Sequence, residues 1–481
     1  MELVILRCLL FSIINFHGFV QASKLLLILM DGFRWDYFDF PDVSLPGFQQ
    51  IFQEGVRAQY LISEFPTNSY PNFYSIMTGL YPESHGQVSN YMYDVPTGKK
   101  FLLGSNDDAM LPLWWEEAEP LWITAEKQAS QNMIFMINER KNILTAISKA
   151  LNIEHQIEHR RTHSKIENKR AYFYDWLGCQ VTIRGTNITF CKPYTKVTYP
   201  GDLAITLNEG LHLFANNSAD LVGLYLESPD AYGHRFGVVS ENLKQGLRDI
   251  DDVMQAMMSN LTSMGLKEKV NVMMFSDHGM ADRTSVVNLT TVIDPDDWIE
   301  LLASMNIVRI WPKEDKLEKI VQDIQRANFS GVQVYRKEDL PERWHLKDHQ
   351  RTPPLMVIGN KAQYLITSTR PKVHEYPTGP MVGMHGFDNT DTDMRAMFIA
   401  TGPAFKKNKV AHPIYNIELY QMMCKILDIT AQPHNGTWSN VKDMLDLDTS
   451  MATKRSTHDV ILVMILGVTL HSMLTIFRIY F

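Results

Sequence analysis

The stretch Val270-Asn271-Val272-Met273-Met274-Phe275-Ser276-Asp277-His278-Gly279 decides the fold class. A short apolar run that stops at an acid, an imidazole and a glycine reads as a buried strand running out into a turn. Two other runs end in the same way: Lys24 to Met30 leads into Asp31-Gly32, and Leu221 to Glu227 runs towards Asp230. Helix-like segments alternate with these strands. Between the second and third of them, Leu243, Leu247, Ile250, Met254, Met257, Leu261 and Met264 recur at intervals of three and four, the stripe of an amphipathic crossover helix. The pattern predicts an α/β fold, a mostly parallel central sheet flanked by helices in a single domain. Ligands of open α/β sheets gather beyond the carboxyl ends of the strands, so the three acids stand where a site would form.

The chain has 481 residues, 45% hydrophobic and 21% charged, enough to bury a large core. Its net charge of −8 excludes a surface that coats nucleic acid, and no binding of nucleic-acid polymers is expected. A phosphate-bearing small molecule would have to be held by local chemistry. Residues 1–22 read as a signal peptide, apolar at Leu3 to Leu6 and Leu9 to Phe19 with small residues near Ala22. At the other end a polar stalk, 446–459, precedes the uncharged stretch 460–477, about 27 Å long as a helix. It reads either as a membrane span or as a lipid-anchor signal, and both put the body on the outer cell surface. Six N-glycosylation sequons, at Asn187, Asn216, Asn260, Asn288, Asn328 and Asn435, agree with that compartment. Of the four cysteines, Cys8 leaves with the signal, Cys179 is expected to pair with Cys191, and Cys424 falls in a helical pattern and is expected to remain a buried thiol. Residues 129–167 break the rhythm of the body and read as a disordered, solvated insert, His155, His159 and His163 included.

Asp and His carry the chemistry. Asp277 and His278 turn into one site where their strand finishes, Asp230 and His234 lie four apart in what reads as a glycine-containing loop, and His385 stands beside Gly386. With Asp31 they make three carboxylates and three imidazoles, a donor set that suits Zn²⁺ and divides over two ions. The nucleophile candidate is Ser69 in Thr67-Asn68-Ser69-Tyr70-Pro71-Asn72. Pro71 favours a first helical turn, and Ser69 then stands where backbone donors and the helix dipole favour an alkoxide and a phosphoryl oxygen. A plain helix-capping serine fits the same local pattern.

The motifs Asp31-Gly32-Phe33-Arg34, Ser69-Tyr70-Pro71-Asn72, Thr78-Gly79-Leu80-Tyr81-Pro82-Glu83-Ser84-His85-Gly86, Ser276-Asp277-His278-Gly279-Met280 and His385-Gly386 resemble those of the ectonucleotide pyrophosphatase/phosphodiesterases. That family belongs to the alkaline phosphatase superfamily. The resemblance spans residues 24–445 and implies an alkaline-phosphatase-like catalytic domain with two zinc ions. One would be held by Asp230, His234 and His385, the other by Asp31, Asp277, His278 and the oxygen of Ser69. It implies a covalent phospho-serine intermediate at Ser69, with Asn90 donating to the phosphoryl oxygen, and it has no counterpart for 129–167. Tyr70 and Tyr225 are expected to contact substrate through their flat faces, as a base sandwich or as part of a cage for quaternary ammonium. Glu227-Ser228-Pro229-Asp230 resembles the nucleotide-directed branches, whereas Ser69-Tyr70 and the Cys179/Cys191 pair resemble the choline-directed branch, so glycerophosphocholine or lysophosphatidylcholine remains the alternative to nucleotides. A catalytically silent binding ectodomain is the alternative of another class, against which the complete ligand set argues.

Overall fold

The computed structural model describes residues 24–103, 106–128, 170–360, 362–368 and 381–446. The expected signal peptide, the 129–167 insert with its three histidines, residues 447–459 of the stalk and the 460–477 segment lie outside the described residues. Among the described residues no helix is long and apolar enough to cross a membrane.

Eight strands build the central sheet: β1 Lys24–Met30, β2 Gly55–Ala58, β3 Ala171–Trp176, β4 Phe190–Pro193, β5 Leu221–Leu226, β6 Val270–Phe275, β7 Phe398–Thr401 and β8 Lys409–Ala411. Their order across the sheet is β8-β2-β7-β6-β1-β5-β3-β4. From β6 to β4 every pairing is parallel, and β7 alone runs antiparallel to both of its neighbours. Every residue of β1 is buried because helices cover both faces of the sheet. Leu25, Leu27 and Leu29 point to one side, where α2 (Ser69–Thr78) and α6 (Leu419–Leu427) supply Phe73, Tyr74, Met77, Tyr420 and Met423. Leu26, Ile28 and Met30 point to the other, against α1 (Pro46–Glu54), α3 (Pro200–Ala215) and α5 (Glu241–Ser263).

The crossover helix α5 forms where the stripe predicts it. Ser240 caps it by accepting from the Leu243 N–H at 3.2 Å, and Leu243, Leu247, Ile250, Met254, Met257 and Leu261 are buried. The Cys179–Cys191 disulfide is formed, tying β4 to the segment after β3, and Cys424 is a buried free thiol in α6.

One feature departs from the expected rhythm. Between β6 and β7 the chain builds a second, wholly antiparallel sheet in the order Trp298–Ser304, Ile307–Pro312, Leu355–Gly359, Val332–Arg336. It has its own core of Leu301, Val308, Ile310, Leu355 and Val357, covered by Ile320 and Ile324 of the helix Leu317–Ala327. This sheet separates Asp277 and His278 from His385 along the sequence, and the chain emerging from it returns His385 to the central sheet.

Candidate active site

Asp31 follows β1 directly, Asp277 and His278 follow β6 after one residue, and Asp230 lies on α4 (Ser228–Phe236), which begins just after β5. These three strands are adjacent in the sheet, so their ends deliver the acids to one place. The Asp230 to His234 segment is helical, which corrects the loop reading. Pro229 suits a first turn, and residues four apart then share a face, bringing His234 Nε2 to 3.2 Å from Asp230 Oδ2. The glycine that suggested a loop packs instead against Met280, whose Cγ a Cβ on Gly233 would meet at 3.0 Å, and Gly383 is small because a Cβ there would meet the Gly233 carbonyl oxygen at 2.4 Å. That close approach, with the Val382 N–H donating to the His234 carbonyl at 2.8 Å, sets His385 opposite Asp230. Gly32, at φ +63, is needed on the other side, since a Cβ there would lie 2.9 Å from the Asp230 Cα.

Two buried groups that could each hold a metal ion result, Asp230 with His234 and His385, and Asp31 with Asp277 and His278. His278 Nε2 is 3.3 Å from Asp31 Oδ1 and 3.4 Å from Asp277 Oδ2, and His385 Nε2 is 3.6 Å from Asp230 Oδ1. The groups adjoin, the His278 and His385 rings stacking at 3.6 Å. Each imidazole Nδ1 faces a backbone carbonyl: Gly383 at 2.8 Å from His234, Gly279 at 2.9 Å from His278 and Thr67 at 2.9 Å from His385. A carbonyl only accepts, so each Nδ1 carries a proton, and in the neutral form of each ring Nε2 presents its lone pair to the site.

The carboxylates are oriented in the same spirit. Asp277 Oδ1 accepts from the Gly32 and His278 N–H groups, and the Tyr225 hydroxyl donates to Asp31 Oδ2. Asp31 Oδ1, Asp230 Oδ1 and Asp277 Oδ2 remain buried with no hydrogen bond. Buried carboxylate oxygens without donors are costly, and three of them facing three imidazole lone pairs fit divalent cations. Electrostatics says the same. Burial and repulsion from Asp277 and Asp230 push the Asp31 carboxyl well above its usual range, and burial raises Asp277. Burial also opposes ionisation of Asp230, but His234, His385 and His278 overcome it and hold its pKa down. Burial and the neighbouring His278 depress His385.

Ser69 is the first residue of α2, and Asn68 takes the capping position without a side-chain capping bond. The capping reading of Ser69 is thereby set aside: its Oγ lies 3.4 Å from His278 Nε2, beside the second ligand group. Asn90 is buried, and its Oδ1 accepts from the Tyr70 N–H at 2.9 Å, which turns its Nδ2 into the donor end.

The tyrosines are placed differently from the expectation of two flat faces offered to substrate. Tyr70 is 4% exposed, edge-on to Phe101 and Phe73, with its hydroxyl on the Leu103 carbonyl. Tyr225 is 6% exposed and orients Asp31. Packing leaves little of either ring for a ligand. The half-buried ring here is Tyr194, which the sequence reading passed over; it stands edge-on to Tyr225 at 5.6 Å and donates its hydroxyl to Glu227. Its position three residues after the disulfide-bonded Cys191 was the available signal. Burial pushes the Glu227 carboxyl up to about 7, although Tyr194 works in the opposite direction.

The family model for type I phosphodiesterase / nucleotide pyrophosphatase matches residues 25–388. The chain belongs to this family. Among curated relatives, the bis(5'-adenosyl)-triphosphatase enpp4 of Xenopus laevis is 32% identical over 429 residues, covering 88% of this chain and 82% of that protein. Human ectonucleotide pyrophosphatase/phosphodiesterase family member 5 is 30% identical, covering 89% and 79%. Among solved structures, an inactive variant of murine ectonucleotide pyrophosphatase/phosphodiesterase 5 in complex with AMP superposes with a TM-score of 0.73 at 29% identity, covering 88% of this chain and all of that one. The chain is a hydrolase with an alkaline-phosphatase-like fold, a nucleotide pyrophosphatase/phosphodiesterase of a family that uses metal ions.

Proposed function

We propose that this hydrolase cleaves pyrophosphate or phosphodiester bonds of nucleotides outside the cell, with two Zn²⁺ ions and a covalent phospho-serine at Ser69. The observation that carries the reading is the meeting of two buried Asp/His groups with the Ser69 hydroxyl at the ends of β1, β5 and β6. When bound, the cations supply Lewis-acid charge to the nucleophilic oxygen and to the phosphoryl group.

The residues do the rest. Ser69, at the start of α2, faces backbone donors and the positive end of the helix dipole, which favour a phosphoryl oxygen. Its Oγ attacks phosphorus, forming the Oγ–P bond as the bond to the leaving oxygen breaks, and water later cleaves Oγ–P to release a monoester and restore the hydroxyl. Asn90, fixed by the Tyr70 N–H, donates from Nδ2 to a phosphoryl oxygen. Tyr225 acts through Asp31, holding one of its oxygens so that the other faces the site.

Nucleotides are favoured over choline esters by the resemblance of Glu227-Ser228-Pro229-Asp230 to the nucleotide-directed branches, and by relatives named for cleaving bis(5'-adenosyl) triphosphate or solved with AMP. The extracellular location is supported by the disulfide, which persists in oxidising compartments, together with the sequons and the apolar first residues. The test is a panel of ATP, ADP, diadenosine triphosphate, a nucleotide p-nitrophenyl ester and glycerophosphocholine, with and without a chelator. Metal-dependent release of nucleoside monophosphate is expected. Preferential cleavage of glycerophosphocholine would transfer the assignment to the choline-directed branch, and no turnover of any substrate would leave a binding ectodomain.

A further inference from the structure

We propose that Asn72 is a positioning residue for Ser69: its side-chain amide clamps residues 64–68 to the first turn of α2 and so fixes where the nucleophile meets the ligand groups. The inference rests on the reading of Ser69 as nucleophile. Asn72 is fully buried, one turn beyond Ser69 on α2. Its Nδ2 lies 2.8 Å from the Asn68 carbonyl, 3.0 Å from that of Pro66 and 3.2 Å from that of Glu64. Its Oδ1 accepts from the Glu64 N–H at 2.6 Å and from Asn416 Nδ2 at 2.8 Å.

The residue type follows from this pattern. Three carbonyls converging on one atom demand an amide nitrogen, whose two hydrogens are shared among them, while two N–H donors on the other side demand an acceptor. An aspartate would supply the acceptor and set its second oxygen against three carbonyls. An aliphatic side chain would remove the partner of the Glu64 N–H and carbonyl, while the Pro66 and Asn68 carbonyls would keep only their backbone donors, the Asn68 and Asn72 N–H groups.

The clamped loop connects everything that must align. The Thr67 carbonyl holds His385 Nδ1, and Thr67 Oγ1 accepts from the Gly386 N–H and donates to the Phe387 carbonyl, so the loop fixes a ligand of the first group. Ser63, just before it, donates to the Asp277 carbonyl at 2.6 Å and so touches the second. Ser69 follows directly. Asn72 touches neither ligand group, so its loss should shift the nucleophile relative to metal-bound substrate without removing a ligand. A displacement near 1 Å costs about a hundredfold in rate.

The experiment compares Asn72→Ala, Asn72→Asp and Asn416→Ala in the full chain, using a nucleotide p-nitrophenyl ester, with bound metal and thermal melting measured on each. Asn72→Ala is expected to lose about 10- to 100-fold in kcat with KM within about twofold and metal content unchanged. Asn72→Asp should fall further behind wild type as pH rises and its carboxyl ionises against the carbonyls. Asn416→Ala, which removes one of the two donors to Oδ1, should lose less than Asn72→Ala. Unchanged kcat in folded Asn72→Ala overturns the proposal, as does a loss that follows metal content or is carried by KM. If the Asn72 variants fail to fold, Asn416→Ala decides, and wild-type kcat there overturns it. Ser69→Ala measured alongside keeps the two readings apart, because turnover surviving in that variant removes the nucleophile assignment whatever the Asn72 variants do.

Discussion

Ser69 has two neighbours that matter, His278 Nε2 at 3.4 Å and the helix it begins. Ser69→Ala keeps all six Asp and His ligands and is expected to bind metal while losing turnover by about three orders of magnitude or more. Ser69→Thr restores the hydroxyl and should retain substantial activity. Steady-state rates for both, with mass spectrometry of acid-quenched wild type for an adduct on this serine, check the mechanism; near-normal turnover in Ser69→Ala would mean direct attack by water. Glu64 gives a separate test of the same neighbourhood. Burial, with Glu418 nearby, pushes its carboxyl up to about 8. A carboxyl whose folded value is raised favours folding fully below its unfolded value, about 4.5, and that contribution is lost as pH rises towards 8. Glu64→Gln removes the cost of ionisation. The variant should match wild type in melting temperature near about pH 5 and exceed it increasingly towards pH 8, as its stability gains on the order of a few kcal/mol over wild type. A gap that stays constant across this range would show that Glu64 does not titrate there.

Among the elements, α4 and the disulfide show how local chemistry is turned to the site's use. The helical turn of α4 converts a spacing of four residues into a shared face, and Gly383 lets its own segment, and thereby His385, approach the Gly233 carbonyl of that helix. The Cys179–Cys191 bond closes a short loop next to Tyr194 and the edge strand β4. Closing a loop of this length restricts the unfolded chain by about 3 kcal/mol. Replacing both cysteines with serine should therefore lower the melting temperature by several degrees while leaving the metal groups, which lie on other elements, intact. Calorimetry and metal analysis of the double variant would show it; an unchanged melting temperature would mean that the edge strand is held by packing alone.

For the whole molecule, three carboxylates converge where helices and sheet exclude water, and without cations that convergence opposes folding. Against Asp230, which the imidazoles hold down, the raised carboxyls of Asp31 and Asp277 set the sign. Their contribution in the metal-free protein is present below about pH 4 and is lost as pH rises, whereas cations compete with protons for the same oxygens and bind better as pH rises. Chelation should abolish turnover and lower the melting temperature, and the difference between metal-loaded and chelated protein should widen from pH 5 to pH 8. Thermal melts at several pH values with and without a chelator test this, and identical melts would argue that the two groups hold no metal.

The sequence by itself determined the layered α/β body, the crossover helix and the six Asp and His residues of the two ligand groups. Strand runs, helical stripes and glycine-flanked acids are local signals, written within a few residues of one another. Ser69 was visible as a helix-starting hydroxyl, but only the fold separated it from a capping serine by giving the capping position to Asn68 and bringing Ser69 Oγ to His278. The antiparallel sheet between β6 and β7, the helical state of α4, the duty of Tyr225 towards Asp31 and the clamp by Asn72 were decided by tertiary structure. The last two depend on partners distant in sequence, Asp31 being 194 residues from Tyr225 and Asn416 being 344 from Asn72. No periodicity spans such separations. They are set by which strand ends lie side by side and by which glycines let two backbones approach.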